Sequence, residues 1–384
     1  MRVLMQLRSD MLLGGEATQI RETAAALRRR GVAVDVDDSL RPDLRGVDIV
    51  HVFGLTQPAE PLLQAEHASG RGVPVVLSPA YQDLSEYNHR GRFGLAAWAY
   101  RFLPAEPFAE AAKLSLRIGR ARGRRLALGG LLPLTLERQQ QRLLRRAALV
   151  LPNSAAEASA IAAHFHHHGP SLVVRHGVAA STFAGATGDA FRLETGLRDF
   201  VIAVGFISSL KNQLRLIAAL EGTGLRLVIA GSRVPTHAAF YRAVCDAARR
   251  SGATMLGHVP HERLASALAA ARVVALPSWF ETCGMACLEG AVAGCRVVVT
   301  NRGYTREYFG EDASYCDPGD VDSIRRAILE AADAPVPERL RARVLSEYTW
   351  EASAEATLDG YRTVLDSRNR VDAAGRRPNP PPCV

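Results

Sequence analysis

Short, unbroken apolar runs alternate with longer amphipathic stretches along nearly the whole chain. Runs at 3–7, 32–36, 49–53, 73–77, 149–151 and 172–174 read as strands, with helical stretches at 16–30, 61–70, 136–147 and 155–165 among them. The scheme then starts again, with runs at 200–204, 226–230, 254–256, 273–276 and 296–300 and helical stretches at 212–220, 236–251, 261–271, 285–293 and 321–332. Unbroken Val, Ile and Leu runs mark strands covered on both faces, and alternation with helices calls for parallel pairing. The pattern predicts two doubly wound, Rossmann-like α/β domains. The boundary falls in 179–199, a stretch with Gly, Thr and Asp and little periodicity. Domains are expected at 1–180 and 181–349. An amphipathic helix at 350–366 is expected to pack back on the first domain. Residues 367–384, which end in a proline-rich stretch, are expected to be disordered.

Composition narrows the partners. The formal net charge is +8 and the isoelectric point about 9.5, which favours anionic partners such as phosphorylated small molecules or anionic lipid. No aromatic and basic interleaving suggests a nucleic-acid platform, so nucleic acid is not expected. The six cysteines include no C-x-x-C pair and are too sparse for a disulfide framework, which points to free thiols in a reducing compartment. The chain opens on a strand-like run without a leader-type segment, and no apolar run is long enough to span a bilayer. The expected location is the cytoplasm, at most on a membrane surface.

The densest chemical signal lies in 276–317. A buried strand ends at Leu276. A loop with Pro277, Ser278 and Gly284 follows, and a helix begins near Met285. In open parallel sheets, ligands bind where such loops leave the carboxyl ends of strands, and an uncapped helix N-terminus suits a diphosphate. Glu281 and Glu289 flank that helix start with seven residues between them. A carboxylate can accept from two hydroxyls at once, as a ribose or hexose presents them. Taken alone, two glutamates in a loop and a helix are common and carry little specificity.

The arrangement of Pro277-Ser278, Glu281, Gly284, Glu289, the helix ending in Gly294 and the Val-rich strand after it resembles the nucleotide-sugar site of the retaining glycosyltransferases of family 4, which have the GT-B fold. Asn301 to Tyr304, Glu307 and Asp317-Pro318 continue the match. Leu151 to Ser154 with Glu157, His176-Gly177-Val178 with Phe183, Val204-Gly205 with Lys211-Asn212, Leu227 to Gly231 and Leu256 to Val259 follow in the family's order, so the likeness spans nearly the whole chain. The resemblance implies two Rossmann-like domains with a cleft between them and a nucleotide-sugar donor held mainly by the second. It implies that Glu281 faces the donor sugar, that Glu289 holds the ribose, and that the backbone of Cys283, Gly284 and Met285 approaches the diphosphate. Lys211, beside Gly205, would neutralise the departing diphosphate. Gly14-Gly15 would let backbone approach a phosphate or sugar closely. The first domain would take a carbohydrate or lipid-linked acceptor. No metal is required.

The likeness breaks in two places. The family's usual Arg after the Gly of Val-Gly is Phe206 here, and Arg302, Arg233 and Arg175 are the candidate replacements. The His that many members carry after the fourth strand falls at Ala80 or Tyr81, and His89 lies further on. The run of His164 and His166 to His168 could bind metal by composition, but a helix C-terminus before Gly169-Pro170 explains it better. The stretch 98–125, with Lys113, Arg117, Arg120 and Arg122 among apolar residues, reads equally as a solvated face or as a contact with anionic lipid. Two other functions compete with glycosyl transfer. A nucleotide-sugar epimerase would need acid–base residues that the Glu281 and Glu289 pattern does not supply. A non-catalytic scaffold would have no chemical reason to keep Glu281, Glu289 and Lys211 together.

Overall fold

The structure, a computed structural model, describes residues 1–9, 14–94, 97, 98, 100 and 134–375. Strands β1 (Arg2–Gln6), β2 (Ala33–Asp37), β3 (Ile49–Phe53), β4 (Val75–Ser78) and β5 (Leu149–Val150) form one parallel sheet in the order β2-β1-β3-β4-β5. Strands β6 (Val201–Val204), β7 (Leu227–Ala230), β8 (Thr254–Gly257), β9 (Val273–Leu276), β10 (Arg296–Thr300) and β11 (Ser314–Cys316) form a second, in the order β11-β10-β9-β6-β7-β8. β3, β4 and β9 are buried at every position, which is why their sequences are mostly apolar, His51 and Ser78 apart, and do not alternate. Helices cover both faces of each sheet, and separate apolar clusters form on either side. The two doubly wound α/β domains predicted from the pattern are present.

Several elements differ from the expectation. Residues 172–174 do not form a strand; Ser171 makes one isolated bridge to Val150, and Leu172 N and Val174 N donate to Val150 O and Pro152 O. β11, at three residues, and the helix Glu338–Glu347 are additional. The boundary stretch contains two short helices, Ala180–Ala184 and Asp189–Thr195. The last helix, Trp350–Gly375, runs nine residues past residue 366, so disorder from 367 is corrected as far as 375. No proline or glycine falls in 367–374 to stop it. Residues 376–384 lie outside the described residues.

That last helix completes the core of the first domain. Trp350, Ala354, Leu358 and Tyr361 are buried with Val3, Met5, Ile20 and Leu27. Tyr361 also bonds His51 Nδ1 at 2.7 Å, and His51 Nε2 meets Ser78 Oγ at 2.9 Å. Burial pushes the His51 imidazole down to about 3, so this network holds a neutral ring. The chain therefore crosses between domains twice, and the crossings touch. Val178 pairs with Thr349, and its N–H donates to Tyr348 O at 2.9 Å. Gly177 lies so close to the Thr349–Trp350 peptide that a Cβ would collide with backbone. Gly177→Ala is expected to destabilise the protein by about 2–3 kcal/mol, the cost of overpacking against atoms that cannot yield. A melting curve showing no loss would mean that the crossing can shift.

Candidate active site

In the second sheet the connections leave in opposite directions from β6 and β9, which are neighbours, so a crevice opens at their carboxyl ends. Gly205 and Lys211 follow β6, and Glu281, Cys283, Gly284 and Met285 follow β9. The fold thus gathers at one switch point residues up to eighty positions apart.

Loop-to-loop bonds stitch the site together. Asn212, in the left-handed region at φ 63°, donates from Nδ2 to Pro277 O and to Pro318 O, each at 2.9 Å. Trp279 N donates to Leu210 O at 2.8 Å, and Tyr304 N donates to Glu281 O at 3.0 Å. Within this frame Lys211 Nζ donates to Glu281 Oε1 at 2.5 Å. The ammonium is a quarter exposed and the carboxylate nearly enclosed, at 25% and 9%. A partly dry ion pair of this kind is held in place yet reachable by a ligand from the open side.

Gly284, at φ 69°, precedes the helix Met285–Val292, whose N-terminus has no side-chain cap. Part of the helix's positive end is thus left without a capping side chain. Glu289 lies on that helix, 7% exposed. Burial raises its carboxyl to about 8, and no hydrogen bond to the carboxylate is present among the described residues. An acid in that position gains most from a ligand that brings hydroxyl donors. The Cys283 side chain is buried in the core beneath the loop, and burial pushes its thiol well up, so it is no nucleophile.

The first domain reaches the same place. Gly14 (φ 104°) opens the helix Gly15–Arg29 without a side-chain cap. A Cβ on Gly14 would come within 2.6 Å of the Phe206 ring, and one on Gly15 within 3.3 Å of the Met285 methyl. The predicted glycine pair therefore meets the loops after β6 and β9, and Phe206 fills space against it where a cation was expected. Of the candidate replacements, Arg302 binds Glu86 and Asp317, and Arg175 binds Glu307. Arg233 lies over the Tyr241 ring at 5.9 Å, with no carboxylate partner among the described residues.

Sequence reasoning missed the strap that crosses the cleft. After β4 the chain passes Ala80, a non-glycine residue at φ 43°, and enters the π-helical turn Tyr87–Gly91. Glu86 there pairs with Arg302, Nε to Oε2 at 2.6 Å. Tyr87 OH meets Ser209 Oγ at 2.8 Å, Arg90 lies over Trp279 at 5.8 Å, and Phe93 packs edge-on against Phe240. One first-domain segment thus bears on the loops after β6, β9 and β10. Glu157 was noted only as part of a motif. It is fully buried, accepts from Tyr81 N at 2.5 Å and Asn153 N at 2.6 Å, and burial lifts its carboxyl to about 7. A helix-starting Ser154 three residues before Glu157 was the available signal, since Ser154 Oγ accepts from Glu157 N at 3.0 Å. His89 is exposed on the π-helical turn. Among the described residues no group of three or more His, Cys, Asp or Glu is arranged to hold a metal ion. No described helix is long and apolar enough to cross a membrane. Of the basic stretch 98–125, all but residues 98 and 100 lie outside the described residues.

Comparison with known proteins fits this geometry. Residues 192–348 match the model for glycosyl transferases group 1. The chain is 30% identical over 173 residues to the O-antigen chain mannosyltransferase B of Escherichia coli, a match covering 42% of this chain and 45% of that protein. It thus spans about half the length of that relative. It is 27% identical over 387 residues to a D-inositol 3-phosphate glycosyltransferase of Mycolicibacterium paratuberculosis, covering 92% of this chain and 86% of that one. The structure of Anabaena HepE in complex with UDP and glucose superposes with a TM-score of 0.67 at 15% identity, covering 94% of this chain and all of the other. The fold is GT-B, and the residues that match the glycosyl transferases group 1 model, 192–348, include Lys211, Glu281 and Glu289.

Proposed function

We propose that the chain is a retaining glycosyltransferase of the family 4 type, which moves a sugar from a nucleotide-diphosphate sugar to an acceptor hydroxyl. The observation that carries this is the Lys211–Glu281 pair set beside the uncapped helix start at Gly284, with the buried, unpartnered Glu289 about one turn into that helix. Glu289 accepts from the ribose hydroxyls, and the helix amides and Lys211 take the diphosphate. Glu281 faces the donor sugar. That HepE is known with UDP and glucose supports a nucleotide sugar as the donor.

The bond from the anomeric carbon to the phosphate oxygen breaks as the acceptor oxygen bonds to that carbon on the same face. The acceptor proton passes to the departing phosphate oxygen, so no side-chain nucleophile takes part. Lys211 and the helix amides stabilise the developing negative charge, a role that can be filled without a metal cofactor. The strap of residues 86–93 closes over the donor loops and excludes water that would hydrolyse the donor. The name of the mannosyltransferase relative favours a role in bacterial polysaccharide or glycolipid assembly. Such work would be done in the cytoplasm, at the inner face of the membrane where 98–125 meets anionic lipid.

The test is to incubate the chain with UDP-glucose, GDP-mannose and ADP-glucose and follow nucleotide release. One donor should be turned over, by slow hydrolysis even without an acceptor. A chain that releases nucleotide from none of them, with or without a sugar acceptor, would count against the proposal.

A further inference from the structure

Two buried polar side chains at the domain interface have nothing to bond. Asn153, 3% exposed, follows β5, and neither atom of its amide has a partner. Tyr304, 7% exposed, stands on the second domain, and its phenol oxygen is also unpartnered. Buried polar groups in folded proteins are almost always satisfied, and exceptions ask for a ligand or a water.

The two belong to one place. Tyr308, four residues past Tyr304, donates its OH to Asn153 O at 2.6 Å. The N–H groups of Asn153 and Tyr81 both donate to Glu157, and burial, with the Glu157 and Asp83 charges adding to it, pushes the Tyr304 phenol up. On its other side Tyr304 is bonded through its backbone to Glu281 O at 3.0 Å. Unused donors and acceptors therefore lie between the first domain's loops and the residue that faces the donor sugar.

We propose that Asn153 and Tyr304 bind hydroxyls of the acceptor, on an uncharged, polyhydroxylated ring beside the sugar being transferred. An amide offers a donor and an acceptor side by side, and a phenol offers both on one atom, which complements neighbouring hydroxyls. Glu157 and Asp83 nearby make this subsite unfavourable for an anionic group. The inference rests on the glycosyltransferase reading.

The test uses the full chain, saturated with whichever of UDP, GDP, ADP or dTDP stabilises it, and titrates D-mannose, D-glucose and myo-inositol by calorimetry. At least one should bind the loaded wild type. Asn153→Ala should weaken it by about tenfold and Tyr304→Phe by about fivefold, as expected for lost hydrogen bonds. Nucleotide affinity should stay within about twofold in both variants. The empty variants should melt no lower than wild type, because neither polar group has a partner to lose. Glu281→Gln should retain the sugar. The inference is overturned if no sugar binds the loaded wild type, or if both variants bind it as well as wild type does, the groups then being held by water. It is also overturned if Glu281→Gln alone loses the sugar, which would put it in the donor position. Failure of every nucleotide to bind wild type would instead remove the transferase reading, and this inference with it.

Discussion

Glu289→Gln is expected to weaken nucleotide binding about 10- to 100-fold, the loss of one charged hydrogen bond or more, while making the empty protein more stable above pH 7. The second effect follows from burial. The Glu289 carboxyl titrates near 8 in the folded chain, against an ordinary value of 4.5. Between those values the folded state holds a proton that the unfolded state has released. Stability therefore falls as pH rises through that window and stays reduced above it. Glutamine has no such proton, so the variant should lose this part of the decline. Glu157, lifted to about 7 by burial, keeps its own contribution over a narrower range. Ribose hydroxyls donate to the ionised carboxylate, so wild-type nucleotide affinity should rise with pH up to about 8 and then level off. Calorimetry and melting curves at pH 6 to 9 check both. A variant that binds nucleotide as tightly as wild type, with the same pH profile, would remove Glu289 from the site.

Lys211→Met is expected to lower turnover by about 100- to 1000-fold, the usual result of removing one group that stabilises developing charge. It also leaves Glu281 nearly enclosed without its partner, and should destabilise the fold by about 1–3 kcal/mol. The two effects separate in a pairwise test. Adding Glu281→Gln removes the stranded charge, so the double variant should regain most of the lost stability and none of the turnover. If turnover returned along with stability, Lys211 would be a scaffold for Glu281 and not a participant in the departure of the diphosphate.

The sequence carried the strands of both sheets well, because β3, β4 and β9 are buried along their whole length and His51 and Ser78 are the polar residues in them. It carried the loop and helix start after β9 too, since the spacing of Glu281, Gly284 and Glu289 is local. Contacts between domains left no such trace. Glu86 meets Arg302 across 216 positions and Tyr87 meets Ser209 across 122, and nothing in either neighbourhood announces the partner. Phe206 was legible as a substitution, but its fit against Gly14 depends on how two domains meet. The run at 172–174 was misread because a loop can be as apolar as a strand over three residues, and here Leu172 is exposed and only Val174 is buried. The backbone of this stretch makes the bridge at Ser171 and two bonds, from Leu172 N to Val150 O and from Val174 N to Pro152 O, too few for a strand.

The account turns on a nucleotide diphosphate bound by the loops after β6 and β9. The most direct measurement is the melting temperature of the wild-type chain with UDP, GDP, ADP and dTDP at millimolar concentration. A ligand that binds only the folded state raises it by mass action. The account predicts that one of the four raises it by several degrees and that Glu289→Gln largely abolishes the rise. No rise with any of them, or an equal rise in the variant, would contradict it.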